Sequence, residues 1–209
     1  MFGNWLNTLL NGCANIYRWE GRRRLIMRND SEHSFGVAVV ADCLCRIEIE
    51  LFNNKVDELK VLRTSLLHDG NEVCMGDIIS TVKKQTPAMK KALEEVEFKL
   101  YEEKLEPIIP KSWRNDFKGY LLNPKENKET IEGKIVAAAD NIDALNECIQ
   151  EVRLGNRTFE PYLMDISNEI LDIDLESARY FMKNCLLDFG LPMDSYGERV
   201  TKFLKTGEY

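Results

Sequence analysis

The sequence predicts an all-α protein. Apolar residues recur at spacings of three and four through most of the chain, and no stretch alternates apolar and polar residues as a half-buried strand does. Capping residues, glycines and prolines divide these periodic stretches into separate helices. The 209 residues suffice for one domain with a sizeable core and are too few for two full-sized domains. The expected architecture is therefore a helical bundle forming a single domain over residues 1–209.

The N-terminal half contains stretches that predict three helices. Residues 3–17 carry apolar side chains at helical spacing, and an irregular basic stretch, residues 18–30, follows. Asn29, Asp30 and Ser31 offer N-cap chemistry for a long helix that ends at Asn53-Asn54. A third helix is expected over residues 57–67, before the helix breaker Gly70.

The rest of the chain is also predicted to be helical. Residues 87–105 have Glu and Lys neighbours at spacings of three and four, which is typical of an exposed helix. Prolines mark a loop-rich middle that contains a short helix, and the most apolar long helix follows it. The remaining expected helices cover residues 113–122, 131–152, 162–173 and 175–187, with a short helix or tail at 200–209.

Composition and charge exclude several classes of function. The 28 Lys and Arg against 35 Asp and Glu give a net charge of −7, which argues against binding a nucleic acid polymer or an anionic membrane. No stretch approaches the roughly 18 apolar residues that a membrane span needs. The six cysteines include no C-x-x-C pair, so we expect reduced thiols and a cytoplasmic protein. With only two histidines, a site built on three imidazoles is excluded.

The pair His68-Asp69 stands at the end of a predicted helix. Neighbouring helical residues point about 100° apart, so both side chains can share one ion only where the helix ends or turns. Gly70 allows such a turn. By itself the dipeptide is equally consistent with a capped, solvated pair.

Other residues favour a metal site. His33, the remaining histidine, lies at the polar start of a long helix, within Ser31-Glu32-His33-Ser34. Asp140 follows an alanine-rich run, where a buried carboxylate must be paired or bound to a metal, and Asp143 is its rival one turn later. This ligand set offers two nitrogens and two carboxylate oxygens, from His33, His68, Asp69 and Asp140. Such a set suits Mn, Co, Ni or Fe at least as well as zinc.

These residues resemble a known family. His33, His68-Asp69 and Asp140 are similar to the metal-binding signature of the HD-domain phosphohydrolases, in which such side chains hold one divalent ion inside a helical bundle. The likeness to the bacterial YfbR-type 5′-deoxynucleotidases covers about residues 17–190. The further residues that match this family in type and spacing are Arg18-Trp19, Ser31 to Ser34, Glu72, Gly76-Asp77 and Ala139-Asp140.

The resemblance implies an enzyme that removes the 5′-phosphate from deoxyribonucleoside monophosphates, using cobalt, manganese or another transition metal, and that forms a homodimer. Arg18 would orient the phosphate, and Trp19 would border the sugar. The other residues implied to line the substrate pocket are His33, Glu72, Asp77, Ile78, Ile79 and Ser80. The family typically has a proline after the Gly-Asp pair, where this chain has Ile78-Ile79.

Chemical reasoning adds roles for these residues and leaves alternatives open. Since both histidines are committed as ligands, Glu72, four positions after His68, is the best candidate for the catalytic acid or base that acts on a metal-bound water; a surface glutamate is the alternative. Arg18 can donate two parallel hydrogen bonds to a phosphate. The alternatives are that Arg22-Arg23-Arg24 binds the phosphate, or that all of these arginines form a solvated basic stretch. For Trp19, the alternative to a place beside the sugar is that of an ordinary core tryptophan. Cys43 and Cys45, two positions apart on a helix, point in different directions, so the pair is a weak candidate for a metal site.

Two other functions compete with a 5′-deoxynucleotidase. One is a small HD-type hydrolase of nucleoside triphosphates, which would keep the metal and enlarge the pocket. The other is a non-catalytic nucleotide or metal sensor. Glu72 and the complete ligand set weigh against a sensor, because a sensor has no evident need for a base beside the water.

Overall fold

A computed structural model describes residues 2–76, 78, 85–122 and 129–208, and it confirms the predicted all-α class. Within these residues the backbone forms α-helices with short 3₁₀ and π turns between them. The extended pairing in this part of the chain is an isolated antiparallel bridge between Tyr17 and Asn29.

The helices lie close to their predicted positions. In chain order they are α1 (Phe2–Asn15), α2 (Asp30–Phe52), α3 (Glu58–Leu67), α4 (Pro87–Leu100), α5 (Arg114–Leu122), α6 (Ile131–Arg153), α7 (Glu160–Asp172), α8 (Glu176–Asn184) and α9 (Gly197–Thr206). The stretch predicted as one helix over residues 87–105 changes to a π turn, Tyr101–Leu105, after α4. The C-terminal residues form a regular helix, α9.

The chain divides into two compact units. The first consists of Met1–Phe35 and Leu66–Pro124, and the second of Gly36–Ser65 and Lys125–Tyr209. The first unit therefore holds the beginning of α2 and the residues that directly follow α3, which are the two places where the sequence puts its histidines.

The core of the first unit is built around Trp5 of α1. The residues buried with it are Tyr101, Leu105, Ile109 and Leu121. The ring of Phe117 meets that of Trp5 edge-on, with centroids 5.1 Å apart, and stacks on Trp113 at 5.8 Å. These aromatic contacts hold α1 against α5.

Glycines bring α1 and α5 into close contact with the 3₁₀ turn Gly70–Cys74. A Cβ on Gly12 would lie 2.6 Å from Cγ1 of Val73, and a Cβ on Gly70 would lie 2.6 Å from Cδ2 of Leu121. Real Cβ atoms do not approach other atoms so closely. The turn that follows His68-Asp69 is therefore held by packing, and Gly70 is required there for space.

The second unit packs around α6, which begins at the N-cap Thr130. The hydroxyl of Thr130 accepts a hydrogen bond from the backbone N–H of Gly133 at 3.1 Å. Glu48 of α2 is fully buried, and its carboxylate accepts hydrogen bonds from Ser177 N at 2.7 Å and Asn54 Nδ2 at 2.6 Å. Because Ser177 lies in the first turn of α8, this carboxylate stabilises the start of that helix. No helix in the described part of the chain is long and apolar enough to cross a bilayer.

Candidate metal centre

His33 lies in the first turns of α2, where the chain forms a reciprocal cap. The Oδ1 atom of Asn29 accepts the backbone N–H of Glu32 at 3.0 Å, and Glu32 Oε2 accepts the N–H of Asn29 at 3.0 Å. This is the capping-box arrangement with Asn in place of Ser or Thr. The N–H of His33 then makes an α-helical hydrogen bond to Asn29 O, which fixes the fully buried imidazole at this helix start.

His68 and Asp69 follow the end of α3 at Leu67, as the sequence predicts. The next residues, Gly70–Cys74, form a 3₁₀ turn in which Glu72 N donates to Asp69 O at 2.8 Å. Because the helix has ended, the neighbouring side chains of His68 and Asp69 can meet. The Nε2 atom of His68 lies 3.1 Å from Asp69 Oδ2.

Asp69 Oδ2 is the atom on which the site converges. Besides His68 Nε2, it lies 3.5 Å from His33 Nε2 and 3.5 Å from Arg18 Nη1. The imidazole centroids of His33 and His68 are 5.2 Å apart, and a nitrogen of one lies within 4.8 Å of a nitrogen of the other. The structure thus brings together four of the residues selected from the sequence.

The electrostatic environment keeps Asp69 ionised. Burial by itself would raise the pKa of this carboxyl, but the hydrogen bond and charge of His68, with His33 and Arg18 beside it, hold the pKa well below its usual range. A carboxylate that stays charged in a largely enclosed position is suited to binding a cation.

Arg18 and Trp19 lie at the start of a loop that leads into α2. The Arg18 side chain is 15% exposed, so its guanidinium pairs with Asp69 in a partly enclosed place. Trp19 is half-buried and has φ 59°, in the left-handed region that a tryptophan rarely adopts. The sequence contained no signal for this conformation.

Glu72 is partly buried in the turn directly after the His-Asp pair. Cys13 of α1 lies near this turn, and burial, together with Asp30, Asp69 and Glu72, raises the pKa of its thiol to about 11. Cys13 is therefore protonated near neutral pH.

Asp140 belongs to α6 in the second unit, where it is half-buried, while its rival Asp143 is only 4% exposed. Buried carboxylates continue along α6 at Glu147 and Glu151, neither of which was selected from the sequence. Asp143 and Glu147 have carboxylate oxygens within 4.8 Å of each other. Asp143, Glu147 and Glu151 recur at a spacing of four among the apolar residues of the buried face of α6, and this spacing was the available signal.

The remaining predictions concern the segment after Gly76. Asp77, Ile79 and Ser80 lie outside the described residues, and Ile78 is half-buried. The cysteine pair behaves as helical spacing indicates, with Cys45 buried and Cys43 exposed.

The donor set of the first unit fits a divalent metal. Two imidazole nitrogens and a carboxylate kept in its charged form converge on one position, and these are ligands that first-row transition metals prefer. Cysteine, whose sulfur would favour zinc or copper, is absent from the groups of candidate metal ligands found among the described residues.

A comparison with solved structures agrees with this assignment. The chain is similar to an HD-domain phosphohydrolase from Listeria innocua, with a TM-score of 0.82 and 27% identity over 99% of each chain. A Pyrococcus furiosus protein shares the fold, with a TM-score of 0.63 at 22% identity. The helical fold and the His-Asp cluster thus define an HD-domain protein of the phosphohydrolase class.

Sequence comparison identifies the family within this class. Similar proteins include a 5′-deoxynucleotidase of Vibrio vulnificus, 30% identical over 86% of this chain and 91% of that protein. Another is a 5′-deoxynucleotidase of Photorhabdus laumondii, 30% identical over 86% of this chain and 89% of that protein. The model of the 5′-deoxynucleotidase YfbR-like family matches residues 5–189, and the chain belongs to this family.

Proposed function

We propose that the protein removes the 5′-phosphate from deoxyribonucleoside monophosphates in a metal-dependent reaction. The observation that carries the proposal is the position of Asp69, whose Oδ2 contacts both imidazoles and the guanidinium of Arg18. A metal-type ligand set and a cation suited to phosphate therefore lie side by side. The relatives named 5′-deoxynucleotidases, at about 30% identity, support the choice of substrate.

One divalent ion would be held by His33, His68, Asp69 and Asp140, with cobalt and manganese as the expected metals. Asp140 is included because the resemblance gives it this role and because it follows the alanine-rich run of α6. When bound, such an ion lowers the pKa of a coordinated water and neutralises charge on phosphate oxygens.

Arg18 orients the phosphate in this proposal. Its guanidinium offers parallel N–H donors that match adjacent phosphate oxygens, and its pairing with Asp69 keeps it beside the ligands before substrate arrives. Trp19, the next residue, borders the sugar. The other pocket residues are proposed to be His33 and the segment Asp77, Ile78, Ile79 and Ser80.

Glu72 carries the proton-transfer role. Its carboxylate would accept a proton from the attacking water, and it would then return this proton to the leaving 5′-oxygen of the nucleoside. The turn Gly70–Cys74 supports the role, because Glu72 N donates a hydrogen bond to Asp69 O at 2.8 Å and so ties the backbone of Glu72 to that of a proposed metal ligand.

Three further expectations belong to this proposal. A single functional domain over residues 1–209 rests on the chain length, and a cytoplasmic location rests on the cysteine usage. The homodimer rests on the resemblance. Light scattering of the purified protein tests the oligomeric state, and cell fractionation tests the location.

Phosphate release from a panel of nucleotides tests the proposed function. Metal-stripped protein is reloaded with manganese, cobalt, magnesium or zinc and given dAMP, AMP, deoxyadenosine 3′-monophosphate or dATP. We expect phosphate release from dAMP with manganese or cobalt and none after chelation. Deoxyadenosine 3′-monophosphate controls for the position of the phosphate. Pyrophosphate or triphosphate release from dATP as the main reaction would instead favour the triphosphate hydrolase, and binding without turnover would favour a sensor.

A further inference from the structure

We propose that Arg24 is a positioning residue that orients Arg18 and Trp19 for nucleotide recognition. This inference rests on the proposed function, which gives those two side chains their ligand. From the sequence, Arg24 was only a member of the Arg22-Arg23-Arg24 run that competed with Arg18 for the phosphate.

The base of the loop is fixed by its backbone. Residues 16–30 leave α1 and return to the start of α2, and two hydrogen bonds join the ends. Arg18 N donates to Arg28 O at 3.1 Å, and Asp30 N donates to Ile16 O at 3.0 Å. These bonds place the N–H of Arg18 but leave the orientation of its carbonyl group to other contacts.

The turn beyond Arg18 has an unfavourable backbone conformation. Trp19 has φ 59°, and Arg22 N closes the turn with a hydrogen bond to Trp19 O at 3.0 Å. A non-glycine residue holds such a conformation only when its surroundings fix it. The peptide group between Arg18 and Trp19 is the part that must be fixed, since its rotation changes ψ of the first residue and φ of the second.

Arg24 contacts that same peptide group. Its Nη1 donates a hydrogen bond to the carbonyl oxygen of Arg18, and the side chain is half-buried while that of Arg23 is exposed. The contact spans six residues of the loop, so it also ties the outgoing part of the loop to the returning part. Arg24 thereby sets the directions in which the side chains of Arg18 and Trp19 leave the backbone.

The variant Arg24→Lys distinguishes a positioning role of Arg24 from direct phosphate binding by Arg24. A carbonyl oxygen needs one donor, which the ammonium group of a lysine supplies, whereas two-point binding of phosphate needs the planar guanidinium. If Arg24 acts through the Arg18 carbonyl, Arg24→Lys should keep most of the function that Arg24→Met loses.

The test uses metal-loaded wild type, Arg24→Met and Arg24→Lys, with Arg23→Met as a variant that removes a neighbouring, exposed charge. We expect Arg24→Met to raise KM for dAMP about tenfold with kcat changed much less, which is the size of one lost hydrogen bond. The ratio of kcat/KM for dAMP over AMP should fall as well, because Trp19 is less well directed. Metal content should stay unchanged, and Arg23→Met should have a smaller effect than Arg24→Met.

Hydrogen exchange of the loop separates this inference from the proposed function. The amide of Arg22, which is bonded to Trp19 O, should exchange roughly tenfold faster in Arg24→Met and near the wild-type rate in Arg24→Lys. If wild type hydrolyses no nucleotide, the proposed function fails, and exchange alone then decides whether Arg24 holds the turn. Unchanged exchange, equal kinetic effects of Arg23→Met and Arg24→Met, or a lysine variant as impaired as the methionine variant would each overturn the positioning role.

Discussion

Arg18 and Asp69 form an ion pair in which Nη1 lies 3.5 Å from Oδ2, the oxygen that the two histidines also contact. A cation bound by this oxygen and the imidazoles would repel the guanidinium, so a metal and Arg18 compete for the same carboxylate. A phosphate removes the conflict, because it gives Arg18 another anionic partner. Metal and phosphate binding are therefore expected to strengthen each other.

This competition predicts that Arg18→Met binds the metal more tightly than wild type. Removing the positive charge leaves Asp69 to the metal, and we expect roughly a tenfold gain in affinity, since the pair is partly enclosed. The affinity is measured by competition with a chelating dye in the absence of nucleotide. Arg18→Lys keeps the charge and should resemble wild type. Weaker metal binding by Arg18→Met would instead mean that Arg18 holds Asp69 in its ligand position.

The ligand set predicts different effects of neighbouring carboxylates on α6. Asp140→Asn should lower metal affinity more than tenfold, because a charged ligand becomes a weak neutral one, while Asp143→Asn should keep the metal. Inductively coupled plasma mass spectrometry of the dialysed proteins measures the content. Asp143 is the more buried of the two, so thermal unfolding should be recorded for both variants. Loss of the ion from Asp143→Asn alone would show that the other carboxylate is the ligand.

Glu72→Gln tests the proton-transfer role without changing the size of the side chain. We expect kcat to fall by about 10²–10⁴-fold, the usual contribution of a general acid or base, with metal content and KM nearly unchanged. Glu97→Gln, a half-buried glutamate on α4, is a suitable control for loss of a carboxylate in the same unit. Near-normal turnover of the Glu72 variant would remove this residue from the mechanism.

Regular patterns in the sequence were sufficient to predict the helices. The beginning of α2 at the Asn29 cap and the end of α3 before His68-Asp69 follow from local chemistry, so the positions of both histidines were predictable. Residue type also selected Asp69 and Arg18, because few side chains bind metals or phosphates well.

Contacts that depend on tertiary geometry were not predictable. The sequence does not reveal that Arg24 reaches back to the carbonyl of Arg18, or that Glu48 caps a helix 129 residues later. Likewise, the need for a glycine at position 12 arises from the close contact between α1 and Val73. Each depends on where a distant segment lies, and hydrophobic periodicity carries no information about that.

Gly12→Ala should destabilise the protein through its contact with the turn that carries Glu72. The added Cβ would meet Val73 Cγ1 at 2.6 Å and Val73 Cβ at 2.9 Å, and a β-branched side chain cannot easily move away. We expect a loss of about 1–3 kcal/mol in the free energy of unfolding and a lower kcat. Gly3→Ala lies in the same helix with nothing within 4 Å of its Cβ, and it should be neutral or slightly stabilising. Equal effects of both changes, measured by urea unfolding, would contradict close packing at Gly12.

The buried hydroxyl of Tyr196 is expected to make the protein less stable in alkaline solution. Its hydroxyl is fully buried, and no group in the described part of the chain forms a hydrogen bond with it. Burial raises the pKa of this tyrosine to about 12, above the ordinary value of 10.0. Between these values the unfolded chain releases the proton while the folded protein retains it. The stabilising effect of the neutral hydroxyl is therefore fully present below pH 10 and is lost as pH rises through 12. The free energy of unfolding should fall by up to roughly 2 kcal/mol over this range.

Tyr196→Phe removes this proton and tests the prediction. At pH 7 the variant should be as stable as wild type or slightly more stable, because no hydrogen bond is lost. At pH 11 it should be more stable than wild type, as measured by urea unfolding at both pH values. Tyr101→Phe is the matched control, since the buried hydroxyl of Tyr101 donates to Arg114 O at 3.4 Å and its removal should cost about 0.5–1 kcal/mol at pH 7. A destabilised Tyr196→Phe at pH 7 would mean that the hydroxyl of Tyr196 has a partner in solution, and the alkaline difference would then shrink with it.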